Sequence, residues 1–162
     1  MKTAYLNSPI GWIELKGDSS GLASVIFIDE EEISSEKNRL EQLPDSLQKT
    51  LQQLTEYFEG TRQKFDLPLH PQGTEFQQKV WSQLQEIPFG KTTSYQKMAN
   101  ALGDPKVIRA AASANGKNPI SIIIPCHRVI GSDGSLTGYA GGLHRKKWLL
   151  QHESPVKQGE LF

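Results

Sequence analysis

The sequence predicts a two-part α/β chain, in which a small antiparallel sheet with one helix precedes a mainly helical half with a helix-turn-helix outline. Three observations carry that class: short β-rich runs punctuated by turn residues before residue 30, a change from strands to helices after Gly73, and two short helical segments joined through "GDP". With 162 residues and 36% hydrophobic content, the chain can form one large domain or two small ones. The expected division is 1–72 for the α/β domain and linker, 73–154 for the helical domain, and a polar tail at 155–162.

Runs at 3–7, 12–16 and 22–28 are separated by "SPIG" and "GDSSG", the pattern of an antiparallel meander. The acidic "DEEE" that follows predicts a solvated loop or a helix start. In "PDSLQKTLQQLTEYFEG", Leu47, Leu51, Leu54 and Phe58 recur at helical spacing, opened by Asp45 and closed by Gly60. Pro68 and Pro71 exclude a helix from "FDLPLHPQG", which reads as an extended linker. Beyond it, "TEFQQKVWSQLQEIPFG" sets Thr74 and Gln77 at capping-box spacing and Phe76, Val80 and Leu84 on one face, with Pro88 and Gly90 at the end. "TTSYQKMANALGDPKVIRAAASANG" predicts a helix through Leu102, a tight turn, and a second helix with Asp104 as N-cap, Pro105 in its first position and Gly116 as its stop. "ISIII" predicts a buried strand that the chain leaves through Pro125, and "GLHRKKWLLQHE" a closing helix. There is no internal repeat and no low-complexity segment.

Composition narrows the function classes. "MKTAYLNSPIGWIEL" lacks an apolar signal core and no long apolar run follows, so the expectation is a soluble cytoplasmic protein without a membrane partner. One cysteine excludes an internal disulfide and a four-cysteine zinc cluster. Net charge is zero, yet residues 1–72 hold 7 basic and 12 acidic side chains, whereas 73–150 hold 10 basic and 4 acidic. That segregation points to an anionic partner such as nucleic acid for the second half, the alternative being chance variation on solvated faces. After Arg109 the second helix of the pair runs "AAASA". So bare a surface can approach a nucleic-acid backbone or groove closely, or pack tightly on another helix.

The lone thiol, Cys126, stands between Pro125 and His127. A single cysteine is commonly a small buried hydrophobe; as a nucleophile it needs a base, and the side chains of neighbouring residues diverge in both strands and helices. Direct proton transfer from Cys126 to His127 therefore requires a bridging water or a different histidine. Glu153 lies at the C-terminal end of the closing helix, where the macrodipole disfavours a carboxylate by ~0.3–1 kcal/mol at an exposed site. It either orients His127 or sits by chance on a fraying end.

The string "IPCHRVIGSDGSLTGYAGG", preceded by "NP" and followed by "WLLQHE", resembles the active-site signature of the O6-alkylguanine-DNA alkyltransferases, or methylated-DNA-protein-cysteine methyltransferases. The likeness extends over almost the whole chain, through "PFGKTTSYQKMA", the Arg109 helix, the cysteine motif, the glycine-rich turn and the last helix. It implies a ribonuclease-H-like first domain and a winged helix-turn-helix-like second one. It also implies a single-turnover transferase that repairs double-stranded DNA by moving an alkyl group from O6 of guanine, and from O4 of thymine, to its own cysteine. No metal or other cofactor is implied, and the protein acts as a monomer.

The resemblance also assigns roles. Cys126 is the acceptor, in a relay Glu153, His127, water, Cys126. Tyr95 supplies a proton to the leaving base, and Asn118 shapes the site. Val129, Tyr139 and Ala140 form the substrate pocket, Ala140 standing where some members carry serine, so that only its backbone N–H remains for O6. Arg109 fills the stack vacated by a flipped nucleotide, with the helix in the minor groove. Ser94, Gln96, Ala110 and Ser132 are further DNA contacts. Flipping costs a few kcal/mol, and less at a damaged base. A cysteine hydrolase would need a second, water-dependent step and an oxyanion loop, which does not stand out. A lesion-binding module of this fold would lack the cysteine. A sequence-specific helix-turn-helix regulator would footprint one site without methyl transfer.

Overall fold

The computed structural model describes residues 1–33 and 40–155, so apart from Pro155 the expected polar tail lies outside the described residues. The chain forms two compact units, Met1–Gln72 and Gly73–Phe162.

The first unit opens with β1 (Lys2–Ser8), β2 (Gly11–Asp18) and β3 (Gly21–Ile28), a three-stranded antiparallel meander in sequence order. A register shift between Lys16 and Gly17 marks an irregularity, and a Cβ on Gly17 would stand 2.8 Å from the Gly21 carbonyl oxygen. Only glycine allows the strands to approach so closely there. "DEEE" forms one 3-10 turn, Glu30–Glu32.

Helix α1 (Asp45–Glu59) shares a core with the sheet, in which Ile13, Leu15, Leu22, Val25, Leu47, Leu54 and Tyr57 are fully buried. The buried stripe differs from the expected one, because Thr50 and Tyr57 are buried where Leu51 and Phe58 are partly exposed. Thr50 tolerates burial since its hydroxyl donates to the Ser46 carbonyl at 2.6 Å. Asp45 is the first helical residue and Pro44 the cap, so the carboxylate acts through the helix dipole rather than as a cap. Gly60, at φ 86°, ends the helix as expected.

The expected linker is held against this unit. Leu22 N–H donates to the Pro68 carbonyl at 2.8 Å and His70 N–H to the Leu22 carbonyl at 2.7 Å, while the Gln53 side chain makes both backbone hydrogen bonds of Asp66. Prolines do exclude a helix here, but the extended chain still satisfies its backbone groups beside β3.

The second unit begins with α2 (Glu75–Leu84), closed at its N-terminus by the capping box: Gln77 N–H donates to Thr74 Oγ1 at 3.1 Å, and Thr74 N–H to Gln77 Oε1 at 2.9 Å. Its buried face is Val80, Trp81 and Leu84, and it stops at Leu84, ahead of Pro88 and Gly90. After β4 (Thr93–Ser94) come α3 (Tyr95–Ala101), a 3-10 turn at Pro105–Val107, and α4 (Ile108–Gly116). Asp104 therefore caps the 3-10 turn, through Lys106 N–H at 2.9 Å, and not the α-helix itself. Gly116 remains helical with Lys117 as the C-cap. Trp81 Nε1 donates to the Ala114 carbonyl at 2.8 Å and Gln83 Nε2 to the Met98 carbonyl at 3.2 Å, so α2 fastens both helices of the pair. A two-residue strand β5 (Val129–Ile130) pairs in parallel with β4, Thr93 opposite Val129, and α5 (Leu143–Glu153) closes the unit.

Candidate active site

The segment before the cysteine is not the strand expected from "ISIII". Ile120, Ile122, Ile123 and Ile124 are buried, but in a series of turns, and Ile122 takes φ 72°. A β-branched residue in that region costs ~1–2 kcal/mol and persists only where its surroundings fix it. Asn118 does the fixing. Its Oδ1 accepts from Ile120 N–H at 2.9 Å and its Nδ2 donates to the Ile124 carbonyl at 2.8 Å, gripping the turn on both sides of Ile122. An apolar run reports burial and cannot by itself distinguish strand from buried turn.

The clamp delivers Cys126 into a one-turn 3-10 helix, Cys126–Arg128, with its N–H turned back to the Ile124 carbonyl at 2.8 Å. Cys126 is 5% exposed and His127 is fully buried. Burial pushes the thiol above its ordinary pKa, with a hydrogen bond from Asn118 and the charge of Lys146 acting in the opposite direction. Thiolate at neutral pH therefore depends on a base.

Behind the cysteine, His127 Nε2 lies 2.8 Å from Glu153 Oε2. Glu153 does not fray; it is 3% exposed and receives Arg128 Nε at 2.8 Å on Oε1 and Arg128 Nη2 at 3.1 Å on Oε2. Burial alone would raise its pKa, but His127 and Arg128 outweigh that and hold it well below the usual carboxylate range. The remaining Arg128 nitrogen, Nη1, donates to the Ile87 carbonyl, and the guanidinium stands 5.9 Å from the centre of the Phe89 ring. Gly90 allows α5 to end there: at φ 82°, a Cβ on it would stand 3.2 Å from the Glu153 carbonyl oxygen. With Nε2–H directed to the carboxylate, the lone pair of the neutral imidazole lies on Nδ1, which is buried without a hydrogen-bond partner.

A cleft of about 420 Å³ is lined by Tyr95, Ala112, Asn115, Gly116, Thr137, Gly138 and Tyr139. Cys126 does not line it, but two of the lining residues, Asn115 and Tyr139, interact with Cys126. Asn115 Nδ2 reaches the Cys126 carbonyl at 3.5 Å. Burial and the nearby Cys126 raise the Tyr139 pKa well above the ordinary phenol value, against a hydrogen bond with Ser121. Lys146 is fully buried, with Nζ 2.8 Å from the carbonyls of Val129 and Thr137 and 3.4 Å from that of Gly138. Burial lowers its pKa to about 8, with Cys126 opposing.

Cys126, His127, Glu153, Asn118 and Tyr139 are thus brought together, and Tyr95 shares the cleft with Tyr139. Val129 is buried on β5 beside them, and Ala140 is exposed on the loop before α5. The expected DNA contacts lie elsewhere on the unit. Arg109 and Ala110 are exposed near the start of α4, Ser132 is exposed in the turn after β5, Ser94 Oγ caps α3 by accepting from Lys97 N–H at 3.1 Å, and Gln96 Nε2 donates to Asn100 Oδ1 at 3.0 Å. The sequence alone gave no role to Arg128, Asn115, Lys146 or Thr137. Arg128 had a signal in its place next to His127; the others depend on contacts that spacing does not reveal. Among the described residues, no three His, Cys, Asp or Glu side chains gather as a metal-ligand set.

A buried cysteine backed by a histidine–carboxylate pair, on the same unit as a helix-turn-helix, defines a protein built for thiol chemistry beside a helix pair of DNA-binding type. Residues 1–71 match the family model described as the ribonuclease-like domain of 6-O-methylguanine DNA methyltransferase, and residues 75–155 match its DNA binding domain. The chain belongs to the 6-O-methylguanine DNA methyltransferase family.

It is 46% identical over 160 residues to a methylated-DNA--protein-cysteine methyltransferase of Methanosarcina acetivorans, covering 94% of this chain and 98% of the relative. It is 44% identical over 158 residues to the protein of that name from Mycobacterium tuberculosis, covering 96% and 94%. The crystal structure of Mycobacterium tuberculosis OGT in complex with DNA superposes with a TM-score of 0.83 at 40% identity, covering 99% of this chain and 98% of that one.

Proposed function

We propose that this chain repairs alkylated DNA by transferring the alkyl group from O6 of guanine, and from O4 of thymine, to Cys126, in a reaction that consumes the protein. The observation that carries the relay is the buried, unpartnered Nδ1 of His127, whose opposite nitrogen is engaged by Glu153. A water between Cys126 Sγ and this nitrogen passes the thiol proton to the imidazole, and the Glu153 carboxylate stabilises the imidazolium that forms. Sulfur then bonds to the alkyl carbon as the C–O6 bond breaks, and the electron pair of that bond passes onto the base. The Tyr95 phenol gives the base a proton and recovers one from solvent, so that in total the thiol's proton is exchanged for the alkyl group. The thiol is not regenerated, because breaking the new S–C bond would require the thiolate to leave an unactivated thioether.

Asn118 holds the cysteine turn, Tyr139 and Val129 wall the pocket, and Ala140 offers its backbone N–H to O6. Because the thiol is nearly buried, a base in duplex DNA reaches it only after extrusion from the stack. Arg109, exposed next to Ala110 on α4, enters through the minor groove and occupies the gap. Ser94, Gln96 and Ser132 contact the DNA backbone. The boundaries of the working domains are 1–72 and 73–154. We take the protein to act as a monomer in the cytoplasm.

Intact-protein mass spectrometry after mixing with a duplex carrying O6-methylguanine tests the reading. One methyl group per chain, on Cys126 and without added cofactor, is expected. Multiple turnovers, or a methyl group on another residue, would reject it.

A further inference from the structure

Thr137 Oγ1 lies 3.0 Å from the Tyr95 phenol oxygen, across 42 residues of sequence. Both residues line the cleft that also holds Asn115 and Tyr139, the two lining residues that interact with Cys126. Thr137 is exposed, in a loop without regular structure, yet its backbone is anchored from below, since its carbonyl is bound by the buried Lys146 Nζ at 2.8 Å. The same ammonium binds the Val129 carbonyl at 2.8 Å, and Val129 pairs with Thr93, two residues before Tyr95. Tyr95, Thr137, Lys146, Val129 and Thr93 thus form a closed circuit, in which one buried cation sets the distance between the first residue of α3 and the loop opposite it.

A phenol has one hydrogen to donate. If that hydrogen is to reach the departing base, the oxygen must be an acceptor towards its protein neighbour. Thr137 can be the donor, because its hydroxyl rotates freely and can accept elsewhere. We propose that Thr137 is a positioning residue for the transfer reaction: its hydroxyl donates to the Tyr95 oxygen, turns the phenol hydrogen into the cleft, and holds the ring at the cleft wall. This rests on the proton-donor reading of Tyr95. Hydrogen-bonded phenols are also better proton donors, since the bond strengthens as negative charge builds on the oxygen.

The test is single-turnover transfer from a duplex bearing O6-methylguanine, comparing the wild type with Thr137→Val, Thr137→Ser, Tyr95→Phe and the double variant Tyr95→Phe/Thr137→Val. Losing one neutral hydrogen bond predicts that Thr137→Val slows the rate at saturating protein by about fivefold, with DNA affinity unchanged. Thr137→Ser restores the rate, and Thr137→Val has no further effect once Tyr95 is phenylalanine. A wild-type rate for Thr137→Val beside a slow Tyr95→Phe would overturn the proposal and leave the Tyr95 reading intact. A wild-type rate for Tyr95→Phe would reject the Tyr95 reading itself. If the serine variant is as slow as the valine one, or the two losses multiply in the double variant, Thr137 acts by shaping the loop and not through the phenol.

Discussion

His127 Nε2 and Glu153 Oε2 lie 2.8 Å apart in a site closed to solvent, and Arg128 binds the same carboxylate through two nitrogens. Removing one partner of a buried ion pair typically costs ~3–5 kcal/mol, because the other charge is left without compensation. Glu153→Gln is therefore expected to destabilise the second unit by about 3 kcal/mol, and to slow transfer by about a hundredfold as the imidazolium loses its counter-charge.

The same carboxylate gives a pH signature. Its folded pKa is depressed, so its stabilisation is fully present above the ordinary carboxylate value of ~4.3 and is lost as pH falls through the lower folded value. Urea unfolding measured from pH 6 downward should show wild-type stability dropping below about pH 4.3, and a shallower drop in Glu153→Gln. Identical slopes would contradict the assigned ionisation.

Burial pushes the Cys126 thiol up, and in the proposed relay His127 counteracts it. His127→Gln keeps a polar side chain beside Glu153 but supplies no base. The pH at which iodoacetamide labelling of Cys126 reaches half its maximal rate should be higher in this variant than in the wild type. An unchanged midpoint would remove His127 from the relay.

On the proposed reading, Arg109 fills the gap left by a flipped nucleotide, a role that can be told apart from simple binding. Arg109→Ala should slow transfer from duplex DNA far more than from free O6-methylguanine base, which needs no flipping. A simple phosphate contact would instead weaken binding about uniformly and reduce the salt slope by about one unit, leaving the bound-state rate intact. Equal slowing on both substrates would mean that Arg109 supports the pocket or the fold.

Asn118→Ala removes both hydrogen bonds that grip the turn around Ile122; it strips the buried Ile120 N–H of its acceptor, while the Ile124 carbonyl keeps the Cys126 N–H. The expected loss is about 1–3 kcal/mol in thermal or urea unfolding, accompanied by slower transfer. An unchanged unfolding midpoint would show that the turn is fixed by packing alone.

Elements marked by local chemistry were legible in the sequence. The meander, the Thr74–Gln77 capping box and the glycine stop at Gly60 follow from residues within one turn of each other, and spacing suffices to read them. The buried turn at 120–124 was not, because burial there erases the alternation that distinguishes strands, and the decisive Asn118 hydrogen bonds leave no periodic trace. At the site, Cys126 and His127 stand out through the resemblance of their motif, because adjacency alone leaves their side chains diverging. Glu153 needed the fold to bring it across 26 residues to His127, and Lys146 reads as one more basic side chain of "HRKKW" until its three carbonyl partners are seen.

The position of Glu153 at the end of α5 also sets an order of manufacture. A chain emerging from the ribosome releases His127 26 residues ahead of the carboxylate that engages it. On the proposed relay, a nascent chain displays its thiol before it can arm it. On that relay, the thiol gains its base and counter-charge only after α5 has docked, and a product truncated ahead of residue 153 would hold Cys126 and His127 without Glu153.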